Sequence, residues 1–231
     1  MKVEFFNVTK EFKIDKENSH IIFKNFNFKL KENEITVIYG ENGSGKSTFA
    51  LLLSAFIKPT SGYIKFDNLI YDKKTKKRKL REIRNKVKIV FQDINLQIFK
   101  STIRDEIAFS FSQYFKKEKK TQEEKKEFID EKVDYLFNLL NFPKEYKNKS
   151  PYKLSGGEKK KLIVGCLLLT PTDILILDEP TAGLDVLTKK EFTNFIKELN
   201  KNFKTTILII THDLKFKNSF SNHFEIEKLK N

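Results

Sequence analysis

Several residue types are scarce or missing in this chain, and each absence narrows what the protein can be. Its 231 residues include no tryptophan, one cysteine and three histidines. The single Cys166 cannot form an intramolecular disulfide, and no group of cysteines and histidines has the spacing of a metal site. Because Cys166 lies in an apolar run, we expect it to be a small buried hydrophobic residue.

Long hydrophobic runs are missing as well. No apolar stretch reaches the ~18 residues needed to span a bilayer, and residues 1–8 alternate apolar and polar side chains instead of forming the apolar centre of a signal peptide. No internal repeat or proline-rich linker divides the chain. We therefore expect one domain over residues 1–231, cytoplasmic and without a transmembrane segment, whose membrane role would come through a partner.

Positive charge is in excess. There are 45 lysines and arginines against 31 acids, a formal net charge of +14. Such an excess can indicate a nucleic acid or an anionic membrane, but the abundance of Lys, Phe, Asn and Ile is typical of an AT-rich genome, so we expect no nucleic-acid partner. We interpret the basic stretch 73–79 and the mixed stretch 116–127 as solvated surface, with a phosphate contact as the alternative for the first.

The apolar pattern predicts an α/β fold, because short strand-like runs recur between helical stretches. Residues 3–8 and 21–30 alternate as antiparallel strands do. Four continuous apolar runs are typical of strands buried on both faces, at 35–39, 87–91, 174–177 and 206–210. Helices are predicted at 46–56, over most of 103–140, at 155–169 and at 188–200, and a last strand at 223–229.

A glycine-rich loop stands between the strand predicted at 35–39 and the helix that follows. It fits the pattern G-x-x-x-x-G-K-[ST] with Gly40, Glu41, Asn42, Gly43, Ser44, Gly45, Lys46, Ser47 and Thr48. Glycines let successive backbone N–H groups turn toward phosphate oxygens, and the helix directs its positive end at the same oxygens. With Lys46 for the β- and γ-phosphates and the Ser47 hydroxyl for Mg²⁺, the loop predicts a site for ATP and Mg²⁺.

Two adjacent acids, Asp178 and Glu179, follow the apolar run 174–177. They emerge at the carboxyl end of a predicted strand, where open α/β sheets bind ligands. Asp178 is suited to hold Mg²⁺, and Glu179 can accept a proton from the water that attacks the γ-phosphate. Paired acids at a strand end are often only a solvated cap, but their coexistence with the glycine-rich loop favours the functional interpretation.

A third motif, Leu154-Ser155-Gly156-Gly157-Glu158, precedes the helix predicted at 155–169. With it the chain resembles the ATP-binding-cassette (ABC) family, whose signature is LSGG[QE]. The remaining family features occur in order: Phe12 where an aromatic stacks on adenine, Gln92 at the Q-loop position, Ala182-Gly183-Leu184-Asp185 as the D-loop, and His212 as the switch histidine.

This resemblance implies a P-loop NTPase fold with a RecA-like core (about 1–92 and 160–231), an N-terminal antiparallel β subdomain and an inserted helical subdomain (about 93–159). It implies that Gln92, Glu179 and His212 take part in hydrolysis. The metal would be held by Ser47, Asp178 and Gln92. It further implies a head-to-tail dimer with a second ABC ATPase subunit, whose ATP would be contacted by Ser155, Gly156, Gly157 and Asp185.

A narrower resemblance, carried by residues 97–109, 150–161 and 178–185, is to the ATPase subunits of energy-coupling factor (ECF) transporters. It implies uptake of a vitamin or a transition-metal ion at the cytoplasmic face of the membrane, together with a transmembrane scaffold subunit and a substrate-binding membrane subunit. Residues 92–99 would help to form the groove for the scaffold. Within them, Ile98 and Phe99 are either apolar anchors in that groove or part of the helical subdomain's core.

Two departures from the ECF pattern stand out. The chain ends 19 residues after His212, whereas ECF ATPases usually continue well past the switch histidine, so it is expected to dimerise through nucleotide alone or to rely on partners. The segment after Gln92 also lacks the family's usual proline. The alternatives are an ATPase of another ABC importer or exporter, a soluble ABC ATPase acting on nucleic acid or ribosomes, and a module that binds nucleotide without hydrolysing it.

Overall fold

The computed structural model describes residues 1–15, 18–111 and 121–228, which form two compact units. The first unit contains the described residues of 1–92, 172–182 and 193–228, and the second those of 93–171 and 183–192. The predicted helical subdomain covers about 93–159, whereas the whole helix Gly156–Leu168 groups with the second unit. The reason is packing, since a side-chain carbon at Gly165 of this helix would collide with Leu136 of the same unit.

In chain order the strands are β1 (Val3–Lys13), β2 (Ser19–Leu30), β3 (Ile35–Tyr39), β4 (Ser61–Phe66), β5 (Leu69–Tyr71), β6 (Val87–Val90), β7 (Ile174–Asp178), β8 (Thr206–Ile210) and β9 (Asn222–Glu225). The α-helices are α1 (Lys46–Leu53), α2 (Lys77–Lys86), α3 (Ile103–Ser110), α4 (Gln122–Leu140), α5 (Gly156–Leu168), α6 (Val186–Phe203) and α7 (Leu214–Lys217). Short 3-10 helices cover Ile94–Gln97, Lys144–Asn148 and Pro151–Lys153.

The first unit holds an antiparallel sheet in the order β2-β1-β4-β5. The predicted antiparallel pairing of the first two strands is confirmed, with Val3 opposite Leu30 and Phe12 opposite His20. Alternate residues of β1, such as Val3 and Phe5, are buried against the core, as the alternating sequence predicts.

The same unit holds a parallel sheet in the order β6-β7-β8-β3-β9. All five residues of β8 are buried, as are the first four of β7, so the continuous apolar runs do mark strands covered on both faces. The predicted α/β architecture, an antiparallel sheet beside a parallel core, is confirmed. Because the strands are parallel, the segments after β3, β6, β7 and β8 meet at one edge of the sheet.

Some boundaries differ from those predicted. Helix α1 ends at Leu53 instead of residue 56, because Ser54 bonds back to the carbonyl of Ala50 and Ala55 takes a left-handed conformation with φ of 56°. The last strand covers Asn222–Glu225, so it begins one residue before the predicted 223–229 and ends earlier, at Glu225, and Leu229 lies outside the described residues. The mixed stretch 116–127 is predicted to be a solvated loop leading into a helix, but α4 begins at Gln122 and therefore includes residues 122–127, while residues 116–120 lie outside the described residues.

The second unit is helical, and local sequence explains where its helices begin. Thr121 and Glu124 form a capping box at the start of α4, and Thr102 caps α3 through the N–H of Asp105. Apolar side chains from α3, α4 and α5 are fully buried, including Ile103, Leu136 and Leu162. Within the described residues of both units, no helix has the length and apolarity that crossing a bilayer requires.

Candidate nucleotide site

The glycine-rich loop leaves β3 at Gly40 and enters α1 at Lys46. Gly40 and Gly45 have φ of 154° and 99°, and a side-chain carbon at Gly45 would lie 2.5 Å from Ile22. Glycine is therefore needed there for both conformation and space. Helix α1 begins without a side-chain cap and without an acid in its first turn, so its amino-terminal N–H groups remain available to an anion.

Lys46 is held by its own loop. Its ammonium donates hydrogen bonds of 2.8 Å to the carbonyls of Gly40 and Glu41. Burial lowers the pKa of Lys46, while the nearby carboxylates of Glu179 and Asp178 oppose that effect. A cation whose direct partners are neutral carbonyls can exchange them for phosphate oxygens without breaking a salt bridge.

The two acids at the end of β7 have different surroundings. Burial, followed by repulsion from Glu179, raises the pKa of Asp178 to about 6, and Lys46 opposes this rise. An ionised Asp178 carboxylate is thus short of compensating charge. Oxygen donors such as this carboxylate and a serine hydroxyl are those that a hard divalent cation prefers.

Glu179 is fixed by contacts that the sequence order alone does not show. Its backbone has φ of 46°, a sparsely populated region for a residue other than glycine. One carboxylate oxygen accepts from the Thr211 hydroxyl at 3.1 Å, and the other accepts from the His212 backbone N–H at 3.0 Å. That second oxygen also lies 2.7 Å from Nδ1 of the His212 ring. Since a carboxylate only accepts hydrogen bonds, the shared proton belongs on Nδ1.

These groups surround one cleft of about 510 Å³, within the range of small-molecule sites. Ten of the predicted residues line it, namely Asn42, Gly43, Gly45, Lys46, Ser47, Thr48, Gln92, Asp178, Glu179 and His212. Loops after β3, β6, β7 and β8 contribute them, so the parallel sheet brings together residues that are far apart in sequence.

Three further lining residues, His20, Ile22 and Ile210, were not predicted. Sequence periodicity places Ile22 on the strand predicted at 21–30 but does not indicate what that strand faces, and His20 joins the strand only in the structure, where β2 begins at Ser19. Phe12 does not line the cleft in this structure, yet it pairs with His20 across the sheet and therefore shares its face. Its ring is 41% exposed and carries the Lys10 ammonium at 4.7 Å from the centroid.

The Ser-Gly-Gly motif and the D-loop residue belong to the second unit. Ser155 is exposed and caps α5 in a capping box with Glu158, with bonds of 3.2 and 2.8 Å. Gly157 is buried, and a side-chain carbon there would lie 2.7 Å from Thr188. Asp185 accepts hydrogen bonds from the N–H groups of Leu187 and Thr188 and from the Thr188 hydroxyl, which lower the pKa of its carboxyl.

Comparison with known proteins identifies the class. The family model described as ABC transporter matches residues 23–182, well over half of the chain. The chain therefore belongs to the ABC transporter family, and its parallel core and antiparallel sheet are those of the P-loop ABC fold. It is the ATP-hydrolysing type of subunit in such transporters.

Individual relatives narrow this identification. The energy-coupling factor transporter ATP-binding protein EcfA2 of Ligilactobacillus salivarius (strain UCC118) is 31% identical over 223 residues, covering 96% of this chain and 74% of its own length. CbiO1 of Clostridium perfringens, part of the ABC transporter complex cbiONQ, has a TM-score of 0.82 at 28% identity, covering 99% of this chain and 86% of that one. The resemblance to ECF-type ATPases is thus confirmed.

A nucleotide-bound relative has the same fold. The dimeric ATP-binding cassette MJ0796, in a post-hydrolysis state bound to ADP and Pi, superposes with a TM-score of 0.80 at 26% identity. The match covers 99% of this chain and 97% of that one. ATP is accordingly the nucleotide of this family, in agreement with the prediction from the glycine-rich loop.

Proposed function

We propose that the chain hydrolyses MgATP in a head-to-tail dimer and thereby energises ECF-type uptake of a vitamin or a transition-metal ion. In this proposal the loop N–H groups and Lys46 bind the β- and γ-phosphates. Ser47, Asp178 and Gln92 hold Mg²⁺, which when bound neutralises phosphate charge. The partly buried carboxylate of Asp178, which has little compensating positive charge, supports the assignment of Mg²⁺ to these residues.

The single observation that carries the hydrolytic mechanism is the pairing of Glu179 with His212 in the cleft of Lys46. Glu179 is mostly buried, with 12% side-chain exposure, and His212 is 62% exposed at the cleft. Glu179 acts as the general base that accepts the proton of the attacking water. His212 orients that carboxylate through Nδ1 and leaves Nε2 directed away from it, toward a group on the nucleotide.

Dimer closure is proposed from the second anion site. The amino end of α5 carries exposed Ser155 and Gly156, with its N–H groups and dipole end on the surface of the second unit. The ligand that we assign to this helix end is a phosphate of the ATP bound to a second ABC ATPase subunit, identical or related. Gly157 and Asp185 support the start of the helix. Phe12 would stack on the adenine from the β-sheet side.

The membrane partners are assigned to the segment after Gln92. Ile98 is 5% exposed and belongs to the core of its unit, whereas Phe99 and Leu96 are 64% and 73% exposed. Buried Glu106 fixes this segment by accepting the N–H groups of Phe99 and Lys100 at 2.8 and 2.7 Å. We propose that the exposed apolar groups receive a transmembrane scaffold subunit, which holds the chain at the cytoplasmic face beside a substrate-binding membrane subunit.

The variant Glu179→Gln tests the mechanism. Because glutamine cannot accept the water proton as a base, turnover should fall by about 10²–10⁴-fold, while ATP binding persists. With ATP unhydrolysed, the variant should elute as a dimer in gel filtration when ATP is present and as a monomer without it. Glu198→Gln, an exposed acid on α6, is the matched control. Normal turnover by Glu179→Gln would refute the base assignment.

A further inference from the structure

The positive charge of this protein is concentrated in one segment. Residues 72–86 contain nine lysines and arginines and two acids, a net charge of +7 and half of the chain's +14. An even distribution of the 45 basic residues would place about three in a segment of this length. Codon usage enriches lysine along the whole chain, so it does not account for this local excess.

The structure exposes this charge. Lys73 lies in the turn after β5, and the remaining cations follow in the loop and on α2, where only Leu80 and Ile83 are buried. Among the described residues, only two of the nine, Arg78 and Lys86, form a salt bridge within 4 Å. Arg78, whose side chain is 93% exposed, approaches Glu82 only at 3.9 Å.

The placement of these cations is unfavourable for the isolated helix. Lys77, Arg78 and Lys79 occupy the first turn of α2, which has no acid. The amino end of a helix carries partial positive charge, so cations there repel it. An external anionic surface would relieve this repulsion, whereas solvent alone only screens it.

We propose that residues 72–86, the basic segment, form a docking surface for anionic phospholipid headgroups. This inference rests on the proposed work of the chain beside a membrane. Clusters of four to eight lysines and arginines next to a membrane are attracted to its negative surface potential. Because Leu80 and Ile83 are committed to the protein core, α2 cannot insert into the acyl chains, and the association is electrostatic.

Headgroups fit the basic segment better than nucleic acid does. The segment contains no aromatic residue on which an unpaired base could stack. Five of the six cations from Lys73 to Lys79 are lysines, which act as point charges and lack the planar fork that reads base edges. A broad array of exposed, flexible ammonium groups matches a fluid layer of phosphates.

The test is cosedimentation of the full chain with vesicles. Vesicles made of equal parts of phosphatidylcholine and phosphatidylglycerol should bind the protein at low salt, binding should weaken as salt rises, and vesicles of phosphatidylcholine alone should not bind it. The test variant replaces four lysines, through Lys73→Gln, Lys76→Gln, Lys77→Gln and Lys79→Gln. It should bind the anionic vesicles at least about tenfold more weakly than the wild type does. Its ATP hydrolysis should remain, since none of these residues lines the nucleotide cleft.

A matched control removes the same charge elsewhere, through Lys24→Gln, Lys126→Gln, Lys144→Gln and Lys201→Gln, all exposed positions. Equal loss of vesicle binding in both variants would show that only net charge matters and would overturn the proposal. Binding to duplex DNA but not to anionic vesicles would overturn it in favour of nucleic acid. Glu179→Gln should bind vesicles like the wild type, so a failure of the hydrolytic mechanism is distinguishable from a failure here.

Discussion

At the scale of single residues, the contacts of Lys46 lead to the first prediction. Its hydrogen bonds go to carbonyls of its own loop, 2.8 Å away. Lys46→Ala should lower ATP hydrolysis by about 10²–10³-fold, because the charge that stabilises the transferring phosphoryl group is lost. The measurement is phosphate release, with exposed Lys65→Ala as the control, and unchanged hydrolysis in Lys46→Ala would exclude this cleft as the active site.

The raised pKa of Asp178 predicts how the stability of the protein depends on pH. Its pKa rises from an ordinary 3.8 to about 6, chiefly by burial, so the folded state holds this proton more tightly than the unfolded state does. The folded nucleotide-free protein should therefore lose stability as pH rises from about 4 through 6. Asp178→Asn should have a higher Tm than the wild type at pH 7.5, with the difference vanishing near pH 4. Equal Tm values at pH 7.5 would contradict the assigned burial effect.

Bound Mg²⁺ should offset the loss of stability that the ionised Asp178 carboxylate causes in the wild type. A divalent cation bound at Asp178 favours the ionised carboxylate, so added Mg²⁺ with ADP should raise the Tm of the wild type at pH 7.5 more than that of Asp178→Asn. This linkage is separate from turnover and is read in the same thermal scans.

At the scale of elements, two neighbouring residues in the segment after β6 should behave in opposite ways. Ile98 is buried and Phe99 is exposed, so Ile98→Ala should lower the free energy of unfolding by about 2–5 kcal/mol and Phe99→Ala by less than about 1 kcal/mol. Phe99→Ala should instead reduce co-purification with the transmembrane scaffold. Urea unfolding and pull-down from membranes measure the two effects, and normal scaffold capture by Phe99→Ala would remove it as an anchor.

Contacts between elements also connect the D-loop with the Ser-Gly-Gly motif. Gly157 at the start of α5 packs closely on Thr188, which is bonded to Asp185 at 2.6 Å. The two segments proposed to face a second subunit therefore share one local framework within their unit. A displacement of either is transmitted to the other through side-chain contact.

At the scale of the whole molecule, the proposed shared site can be tested by complementation. Ser155→Arg places a bulky cation at the anion site of α5 and should abolish turnover while the single chain still binds ATP. Mixed with Lys46→Ala, which retains Ser155, it should regain activity, because one composite site then has both groups intact. ATP hydrolysis by the mixture against each variant alone is the measurement, and no recovery at any ratio would contradict a shared site in a homodimer.

By itself, the sequence determined the local features of this protein. The phosphate loop, the alternation of β1 and β2 and the buried strands β3, β7 and β8 follow from patterns of neighbouring residues, since glycine conformations and side-chain periodicity are local properties. Tertiary structure decided what depends on distant segments meeting. The parallel order of one sheet placed His212 against Glu179. Strand β2 of the antiparallel sheet turned His20 and Ile22 toward the cleft, and packing within the second unit separated buried Ile98 from exposed Phe99. Those outcomes depend on which faces pack together, and no window of neighbouring residues contains that information.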